Sequence, residues 1–439
     1  MRLMIATIGR LAIGLALCAT ATLTQATLPI QTWTAKSGAR VLFVESRSIP
    51  MLDISIDFDA GSRRDPPGKS GLASITNAML FLGADGMSEN SIAERFADTG
   101  AQRGNRTERD RAGAMLRTLS ARAEREASIA LLVAVLSTPT FPEAALAREK
   151  ARIVSALKEA ETRPENIGER AFAQALYGRH PYGQSATTES VTSLTRADVE
   201  DFYRAHHGAS RAVVAMIGDL SRAEAEAIAE RLTAKLPAGA AAPALPPVGA
   251  PDTAPKRIGH PATQAHIFLG APALARGDPD FFALTVGNYI LGGGGFVSRL
   301  VSEVREKRGL AYSVYSYFQP LKDAGPFQVG LQTKKEQADE ALALVRRVVA
   351  EYVARGPTAA ELKAAKDNLV GGFALRIDNN RKILDNLGII GFYGLPADYL
   401  DRWSDNVSRV SAADIRAAFA RKVNPDAFAT VVVGAPEAK

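Results

Sequence analysis

The two halves of this chain repeat each other at a single offset of 216 residues. The clearest pair of segments is 191–199 and 407–415, which read VTSLTRADV and VSRVSAADI. Two further sets of positions agree at the same offset: residues 214–218 with 430–434, and Leu146, Lys150 and Val154 with Leu362, Lys366 and Val370. Agreement of three separate segments at one offset is typical of an internal duplication. The sequence therefore predicts two halves with the same fold.

A stretch rich in Ala and Pro, residues 235–257, separates the two repeats. It has no apolar periodicity that could bury one face of a helix or strand, and Pro-rich segments of this kind act as extended spacers. The length of the chain supports the division, because single hydrophobic cores stop growing at about 250–300 residues. We predict an N-terminal half at 27–234, a linker at 235–257 and a C-terminal half at 258–439.

Both halves mix strand-like and helical patterns. Strand-like runs lie at 40–45, 52–58, 266–269, 312–318 and 327–332. Helical periodicity occupies eight segments: 71–81, 91–98, 143–160, 196–206, 281–291, 297–307, 335–354 and 359–377. Thr195 precedes the segment at 196–206 as an N-cap, and Ser411 is a second predicted N-cap, before a helix that starts at Ala412. Because strands and helices come in batches and do not alternate strictly, the pattern predicts an α+β fold and not a doubly wound parallel sheet.

The N-terminus has the pattern of a cleavable secretory signal. Arg2 and Arg10 precede an uncharged apolar stretch, and small residues follow it. We predict that residues 1–26 are a signal peptide, since the apolar run is shorter than the roughly 20 residues of a membrane-spanning helix. Cys18, the only cysteine, could mark a lipoprotein, but the bulky Leu17 before it disfavours that. A large exported chain without disulfides favours the bacterial periplasm.

The charge balance excludes an obvious nucleic-acid interface. The formal net charge is +6, and removal of residues 1–26 lowers it to +4, because that segment holds two arginines and no acidic residue. This small excess is not gathered into a basic block, so ordinary surface charge explains it better than binding to nucleic acid. No membrane span is expected in the mature form.

The histidines do not form a recognisable metal site. They are His180, His206, His207, His260 and His266. A helical zinc motif needs two histidines four residues apart, and no pair has that spacing. Thiolate ligands are excluded too, because the single cysteine lies in the predicted signal. We interpret all five histidines as hydrogen-bonded or surface residues and predict no metal or other cofactor in this chain.

Motifs for nucleophilic catalysis and nucleotide binding are absent from the sequence. No G-x-S-x-G pattern occurs. The run Gly292, Gly293, Gly294 and Gly295 could suggest a phosphate-binding loop, but it lacks the Gly-Lys-Ser/Thr ending of a P-loop. A flexible junction between two helices is the simplest interpretation of this run.

Several short motifs resemble the pitrilysin/insulinase-type family of metallopeptidases, which includes the mitochondrial processing peptidase. In the first half they are FDAGSRRD at 58–65, MLFLG at 79–83, TFPE at 140–143 and HPYG at 180–183. In the second half they are the glycine run, SRL at 298–300 and REKRGLAY at 305–312. The resemblance covers nearly all of the chain after residue 26. It implies two duplicated halves, each a mainly antiparallel sheet flanked by helices.

The resemblance places the family's zinc helix on residues that cannot bind zinc. Its H-x-x-E-H motif falls on residues 74–78, which read SITNA. Ser74 and Ala78 stand at the two histidine ligands and Asn77 at the general-base glutamate, and the further acidic ligand expected near Ser155 is missing as well. Alanine has no donor atom, and a neutral amide cannot take a proton from water. This half is therefore expected to hold no zinc and to activate no water.

The second half retains two residues with a role in the family. There, an arginine and a tyrosine seven residues apart reach a zinc site built by another half or a partner chain, and the matching residues are Arg305 and Tyr312. A cation and a phenol would stabilise the negative oxygen that develops on a hydrated peptide carbonyl. Gly309 is expected to end the helix that carries Arg305. The run at 292–295 is expected to contact substrate, with a simple hinge as the alternative.

The leading hypothesis is that this chain is the non-zinc subunit of a hetero-oligomeric zinc endopeptidase that cleaves unfolded peptides. It would be similar to the non-zinc subunit of bacterial peptidases that resemble the mitochondrial processing peptidase. A homologous partner with H-x-x-E-H would hold the zinc, and this chain alone would be inactive. Residues 99–107 occupy the family's peptide-pairing edge, where substrate would add as a strand. The alternative is a non-enzymatic pseudopeptidase that binds peptides or scaffolds an assembly.

Overall fold

The computed structural model describes residues 28–239 and 243–434; the predicted signal peptide at 1–26 lies outside them. The strands of the first half are β1 (Gln31–Thr34), β2 (Arg40–Glu45), β3 (Met51–Phe58), β4 (Gly83–Ala84), β5 (Met87–Ser88), β6 (Gln102–Thr107), β7 (Ala112–Leu119) and β8 (Val213–Gly218). Its α-helices are α1 (Leu72–Met79), α2 (Glu89–Asp98), α3 (Arg122–Ser137), α4 (Glu143–Ala160), α5 (Pro164–Tyr177), α6 (Thr188–Thr192), α7 (Arg196–His206) and α8 (Arg222–Thr233).

The second half repeats this mixture of strands and helices. Its strands are β9 (Lys256–Ile258), β10 (Gln264–Leu274), β11 (Ser313–Phe318), β12 (Gly325–Lys334) and β13 (Ala429–Val433). Its α-helices are α9 (Phe281–Asn288), α10 (Ala338–Arg355), α11 (Ala359–Gly371), α12 (Asn380–Tyr393), α13 (Trp403–Arg409) and α14 (Ala412–Lys422). Two π-helical segments, Tyr289–Gly293 and Val301–Glu306, lie between α9 and β11.

Apart from the additional edge strand β1 of the first sheet, the two main sheets have the same strand order, which confirms the predicted duplication. The first sheet runs β1-β2-β8-β3-β7-β6, and the second, read in the same direction, runs β9-β13-β10-β12-β11. In the first sheet β8, the last strand of its half, pairs parallel with β2 and antiparallel with β3. In the second sheet β13, again the last strand, pairs parallel with β9 and antiparallel with β10. The other pairings are antiparallel, so the α+β prediction with mainly antiparallel sheets is correct.

The offset of 216 residues also holds for individual helices. Helix α5 shifted by this amount gives the bounds of α12, and α7 shifted likewise gives the bounds of α14. The predicted N-caps are confirmed: Thr195 Oγ1 accepts from the Asp198 amide at 3.2 Å, and Ser411 Oγ accepts from the Asp414 amide at 3.1 Å. In each case the aspartate accepts in return from the amide of the cap residue, so both are reciprocal capping boxes.

One helix of each half packs against the sheet of the other half. Helix α12 packs on β2, β3 and β8 of the first sheet, while α5 packs on β10 and β13 of the second. The contact is apolar: Leu384 and Ile390 of α12 share a core with Leu42 and Val213. Each sheet is therefore covered on one face by helices of its own half and on the other face by a helix of the other half.

The predicted linker lies against the first half in the part that the structure describes. Between residues 243 and 255 the described chain has no helix or strand, and β9 begins at Lys256, inside the predicted linker. The Arg64 guanidinium donates to the Pro243 carbonyl at 2.7 Å, and the Asp252 amide donates to the Ala175 carbonyl at 2.8 Å. We propose the same division of the chain, with the linker lying along the surface.

Three predicted helices differ in their extent. The helix expected at 297–307 begins only after Ser298, because a 3-10 turn, Gly295–Val297, precedes it. The helix expected at 281–291 changes to π-helical winding at Tyr289, and the one expected at 359–377 ends at Gly371 and continues as a 3-10 turn, Phe373–Arg376. No helix within the described ranges has the length and apolar character needed to cross a bilayer.

Candidate functional site

A tight turn brings Arg305 and Tyr312 together. The π-helical segment carrying Arg305 ends at Glu306, and Gly309 follows with a φ of 62°, the left-handed conformation that favours glycine. The Gly309 amide donates to the Arg305 carbonyl at 2.9 Å, and the Tyr312 amide donates to the Gln332 carbonyl of β12 at 3.1 Å. The Cζ atom of Arg305 lies 5.7 Å from the centroid of the Tyr312 ring.

The guanidinium of Arg305 is free of ion pairs within residues 28–239 and 243–434. The charged residues next to it form ion pairs with one another: Glu303 accepts hydrogen bonds from Lys307 at 2.6 Å and from Arg308 at 2.8 Å. Arg305 is half-buried, and the Tyr312 side chain beside it is 75% exposed. A cation and a phenol thus stand together on an open surface with their hydrogen-bonding atoms available.

An exposed aromatic residue that the sequence analysis did not single out completes this surface. Phe296 is 68% exposed, and the centroid of its ring lies 5.0 Å from the Cζ atom of Arg305. Val297 beside it is 75% exposed. The available signal was an apolar Phe-Val pair directly after a glycine run, but the helical pattern assigned to 297–307 concealed it.

The glycine run fits a closely packed junction. A Cβ on Gly292 would lie 2.6 Å from the Ser316 amide nitrogen, one on Gly293 would lie 2.6 Å from Asn288 Nδ2, and one on Gly294 would lie 2.6 Å from the Tyr289 carbonyl. Gly295 has open space around it and a φ of 61°. Close packing at three positions and the left-handed backbone at the fourth account for the four glycines. The predicted contact of this run with substrate stays a prediction.

The degenerate zinc motif lies on α1, which packs against α4 and against β6 and β7. Ser74 is exposed and Ala78 is half-buried, whereas Asn77 is completely buried. The Asn77 Nδ2 atom donates to the Arg106 carbonyl at 2.9 Å and to the Gly113 carbonyl at 3.2 Å. Across the described parts of the chain, no group of three or more His, Cys, Asp or Glu residues could hold a metal ion. The residues present at 74–78 do not fit a zinc ion.

Comparison with known proteins assigns the family. The sequence pattern described as "Insulinase (Peptidase family M16)" matches residues 40–189, and that of "Peptidase M16 inactive domain" matches residues 193–369. The crystal structure of a peptidase M16 inactive domain from Pseudomonas fluorescens is 39% identical, with a TM-score of 0.89, and the match covers 94% of this chain and 100% of that chain. The chain belongs to peptidase family M16.

Curated M16 relatives carry two kinds of name. An uncharacterized zinc protease of Streptomyces coelicolor is 28% identical over 365 residues, covering 81% of this chain and 79% of the relative. A non-peptidase homolog of Helicobacter pylori is 26% identical over 379 residues, covering 85% of this chain and 87% of the relative. The sequence SITNA at 74–78 agrees with the inactive type. The resemblance to the insulinase family that the sequence motifs indicated is therefore confirmed.

One M16 motif has a capping role in this structure. Asp65 ends the motif at 58–65, and its carboxylate accepts from the amides of Gly71 and Ala73, both at 2.7 Å. These amides lie at the N-terminus of α1, where they have no partner within the helix. Burial raises the pKa of the Asp65 carboxyl to about 7, while the two backbone donors act in the opposite direction. The motif thus fixes the start of α1.

A second M16 motif, HPYG at 180–183, helps to join the two halves. Tyr182 Oη donates to Asp110 Oδ1 at 2.6 Å, and Tyr393 Oη donates to Asp110 Oδ2 at 2.8 Å. The Lys322 amide also donates to this carboxylate, at 2.8 Å, and Arg63 Nε lies 3.2 Å from it. Burial and the charge of Asp110 raise the pKa of both tyrosines. This buried network connects residues from both halves.

The interpretation of all five histidines as hydrogen-bonded or surface residues is wrong for His207. This side chain is completely buried, and neither ring nitrogen has a hydrogen-bond partner among the described residues. Its ring packs against Phe58 and Tyr203, with centroids 4.9 and 5.3 Å away. Burial lowers the pKa of His207 to about 3. Sequence reasoning had no means to detect that the end of α7 faces the core.

Proposed function

We propose that this chain is the non-zinc subunit of a hetero-oligomeric M16 endopeptidase that cleaves unfolded peptides. Arg305 and Tyr312 would stabilise the oxyanion at the zinc site of a homologous partner that carries H-x-x-E-H. The observation that carries the proposal is the guanidinium of Arg305, which has no ion pair in the described structure and stands beside an exposed phenol.

The contrast with neighbouring arginines supports a functional role for Arg305. Arg299 forms two hydrogen bonds of 2.6 Å with Glu361, and Arg308 pairs with Glu303. Surface arginines of this segment therefore have acidic partners in the fold, whereas Arg305 has aromatic neighbours. An acidic partner would cancel the charge that an oxyanion needs. Unpaired Arg305 keeps all five N–H donors for an anionic group.

The proposed division of labour follows from what each chain can supply. Residues 74–78 of this chain hold no zinc ligand, so the partner's zinc would activate the attacking water and polarise the peptide carbonyl. Arg305 would place a positive charge, and Tyr312 a phenolic donor, against the oxygen that becomes negative. Such donors act in the transition state, and removing one typically lowers turnover by ~10²–10³, or about 3–4 kcal/mol.

Reconstitution tests the proposal. The chain is mixed with an H-x-x-E-H M16 chain from the same source, and cleavage of an unfolded peptide is followed for Arg305→Ala, Tyr312→Phe and the control Arg308→Ala. We expect Arg305→Ala to lower kcat/KM by ~10²–10³, Tyr312→Phe to lower it in the same direction, and Arg308→Ala to leave it unchanged. Undiminished cleavage by both site variants would remove the catalytic role.

A second candidate function is a peptide-binding pseudopeptidase, and a cavity favours it. A cavity of about 840 Å³ lies between α4, α5 and the segment 183–187, and its apolar lining includes Leu157, Ile167, Ala171 and Ile258. Polar side chains, that of Arg170 among them, line the cavity as well, and cavities of this size with mainly apolar walls are typical binding sites. A chain that binds peptides alone, as a stable homodimer, and never enhances cleavage by a zinc-bearing M16 chain would favour this function.

We also propose that the chain acts in the periplasm after removal of residues 1–26. The support is the basic, apolar and small-residue order of the N-terminus. Cell fractionation and N-terminal sequencing of the mature protein test this point. A mature chain that begins at Thr27 and appears in the periplasmic fraction is the expected result, and retention of Arg2 and Arg10 in the purified protein would contradict it.

A further inference from the structure

The Arg305 guanidinium lies close to two aromatic rings. Its Cζ atom lies 5.0 Å from the centroid of Phe296 and 5.7 Å from the centroid of Tyr312. Both distances fall within the roughly 6 Å over which a guanidinium is attracted to the face of a ring. Since the described structure gives Arg305 no ion pair, the two rings are the groups that restrict where its guanidinium can lie.

Phe296 has no stabilising role of its own in the fold. A phenylalanine contributes roughly 1.5–3 kcal/mol when its side chain is fully buried, but Phe296 remains 68% exposed. Its neighbour Val297 is exposed as well, so the pair does not belong to the core of the second half. Among the described residues, the Phe296 ring makes its cation–π contact with Arg305.

The backbone beneath Phe296 is firmly fixed. Ser298 donates twice to the Gly295 carbonyl, from its Oγ atom at 2.7 Å and from its amide at 3.0 Å. The Gly294 amide donates to the Tyr289 carbonyl at 2.8 Å. Side chains at Gly293 and Gly294 would collide with Asn288 and Tyr289. The glycine junction therefore presents the Phe296 ring at a defined place above Arg305.

Aromatic rings position a cation in a way that a carboxylate cannot. A glutamate in place of Phe296 would fix Arg305 through charge-assisted hydrogen bonds, but it would also neutralise the guanidinium and occupy its donors. A ring face restricts the side chain and leaves the charge and the N–H groups available. Arginine otherwise carries about 2 kcal/mol of rotamer entropy, and restricting that freedom before the reaction favours the transition state.

We infer that Phe296 is a positioning residue for Arg305, which it holds against Tyr312 so that the guanidinium is directed at the partner's zinc site. This inference rests on the proposed function. Phe296 would act through Arg305 and would not touch the reacting atoms. The glycine run at 292–295 then serves to place this ring, which gives the junction a role other than hinge motion.

Kinetics of the reconstituted peptidase test the inference. Phe296→Ala should lower kcat by about 2–5-fold, the range of an exposed cation–π contact, with KM unchanged. Phe296→Tyr should restore kcat, because a phenol ring offers the same face, and the matched control Val297→Ala should leave both constants unchanged. In the Arg305→Ala background, Phe296→Ala should have no further effect, since the two residues act as one unit.

Two kinetic results would overturn the inference. A rise in KM with unchanged kcat in Phe296→Ala would make the ring a substrate contact. An equal loss of kcat with and without Arg305 would show that Phe296 acts independently of Arg305. If Arg305→Ala and Arg308→Ala both leave cleavage intact, the proposed function fails. The positioning of Arg305 by Phe296 is then tested by a measurement that does not depend on activity.

NMR of the chain alone supplies that second readout. The Nε–Hε resonance of Arg305, assigned by its loss in Arg305→Lys, should show a ring-current shift from the flanking aromatic faces. We expect Phe296→Ala to remove a large part of this shift, Phe296→Tyr to keep it and Val297→Ala to leave it unchanged. A resonance unaffected by Phe296→Ala would overturn the positioning role, whatever the activity of the complex.

Discussion

At Asn77 the side-chain amide donates to the carbonyl oxygens of Arg106 in β6 and Gly113 in β7, and the residue is completely buried. The position corresponds to the general base of zinc-bearing relatives, according to the sequence resemblance. A glutamate has no N–H group, so it could not make these bonds and would bring a charge into a buried site. Asn77 joins α1 to β6 and β7 and therefore has a structural role.

Truncation of Asn77 measures that role. Asn77→Ala removes the side-chain donor to one buried and one partly buried carbonyl, and we expect the free energy of unfolding to fall by about 1–3 kcal/mol. Urea unfolding followed by tryptophan fluorescence gives the value. Ser74→Ala is the matched control, because Ser74 is exposed on the same helix and surface substitutions usually change stability by less than about 0.5 kcal/mol. Equal midpoints for the two variants would contradict the assignment.

His207 makes the fold sensitive to acid. Its pKa is about 3 in the folded chain against an ordinary value of 6.5, because burial disfavours the charged ring. Between these pH values the unfolded state binds more protons, so this contribution to stability is complete above about pH 6.5 and falls as the pH decreases. The loss approaches about 1.4 kcal/mol per pH unit for one proton. His206, with a pKa lowered to about 4, acts in the same direction.

His207→Leu tests this pH dependence. The variant keeps an apolar side chain at the site and removes the titrating group, so its stability relative to wild type should improve steadily as the pH is lowered from 7 to 4. Unfolding free energies from urea titrations at several pH values provide the comparison. Other acid-sensitive groups act in both proteins and cancel in the difference. A difference that stays constant over this range would show that His207 is not the acid-sensitive group.

The residues of the candidate site differ in how far sequence could reveal them. Arg305 and Tyr312 were named because their spacing matches a family pattern, and the structure brings them together through the turn at Gly309. No family pattern marks Phe296. Its significance depends on the contact of its exposed ring with Arg305, nine residues further along the chain. His207 was misjudged for the same reason: its burial is a property of the assembled core and not of its neighbours in sequence.

Among the elements, α5 and α12 matter most because they cross from one half to the other. In each of them a glycine lies close to the opposite sheet. A side chain at Gly168 of α5 would overlap the Phe268 ring of β10, and one at Gly391 of α12 would lie 2.5 Å from Leu42 Cδ1 of β2. These glycines let the helix backbones lie close to a sheet that belongs to the opposite repeat.

Alanine at either crossing glycine should loosen the contact between the halves. We expect Gly168→Ala and Gly391→Ala each to lower the free energy of unfolding by about 1–3 kcal/mol, the usual effect of overpacking. Gly371→Ala is the control, because it lies in α11 with open space around it and should be neutral or up to about 1 kcal/mol stabilising. Thermal unfolding by circular dichroism distinguishes the three. Similar melting temperatures for all three variants would mean that the helices adapt without strain.

Sequence patterns predicted the elements better than their arrangement. Helices α4, α7 and α14 were recognised because caps and 3.6-residue periodicity are local signals. Helices α5 and α12 were not among the predicted segments, and their exchange could not be predicted either, since an apolar helix face does not say which sheet it will cover. The helix expected at 297–307 starts late because Gly295 and Ser298 form a 3-10 turn, which a periodic pattern does not distinguish from a first helical turn.

For the whole molecule, two polar networks reinforce the exchange of helices. Asp110 of the first half accepts from Tyr393 of α12, and Arg106 of β6 pairs both with Asp57 and with Asp385 of α12. Asp57 and Asp110 are buried, so removing a donor to either carboxylate leaves a buried charge with less compensation, which is destabilising. The polar and apolar contacts therefore act together, and the two halves should unfold in one transition.

Separate expression of the halves tests this cooperativity. Residues 28–239 alone would lack α12, which would expose the apolar sheet face that includes Leu42, Val213 and Ile217. We expect this fragment to aggregate or to melt without cooperativity. Coexpressed with residues 243–434 it should copurify and melt as a single unit, because each fragment returns the helix that the other sheet requires. A sharp, independent melt of residues 28–239 near the temperature of the whole chain would show that the exchanged helices are dispensable for folding.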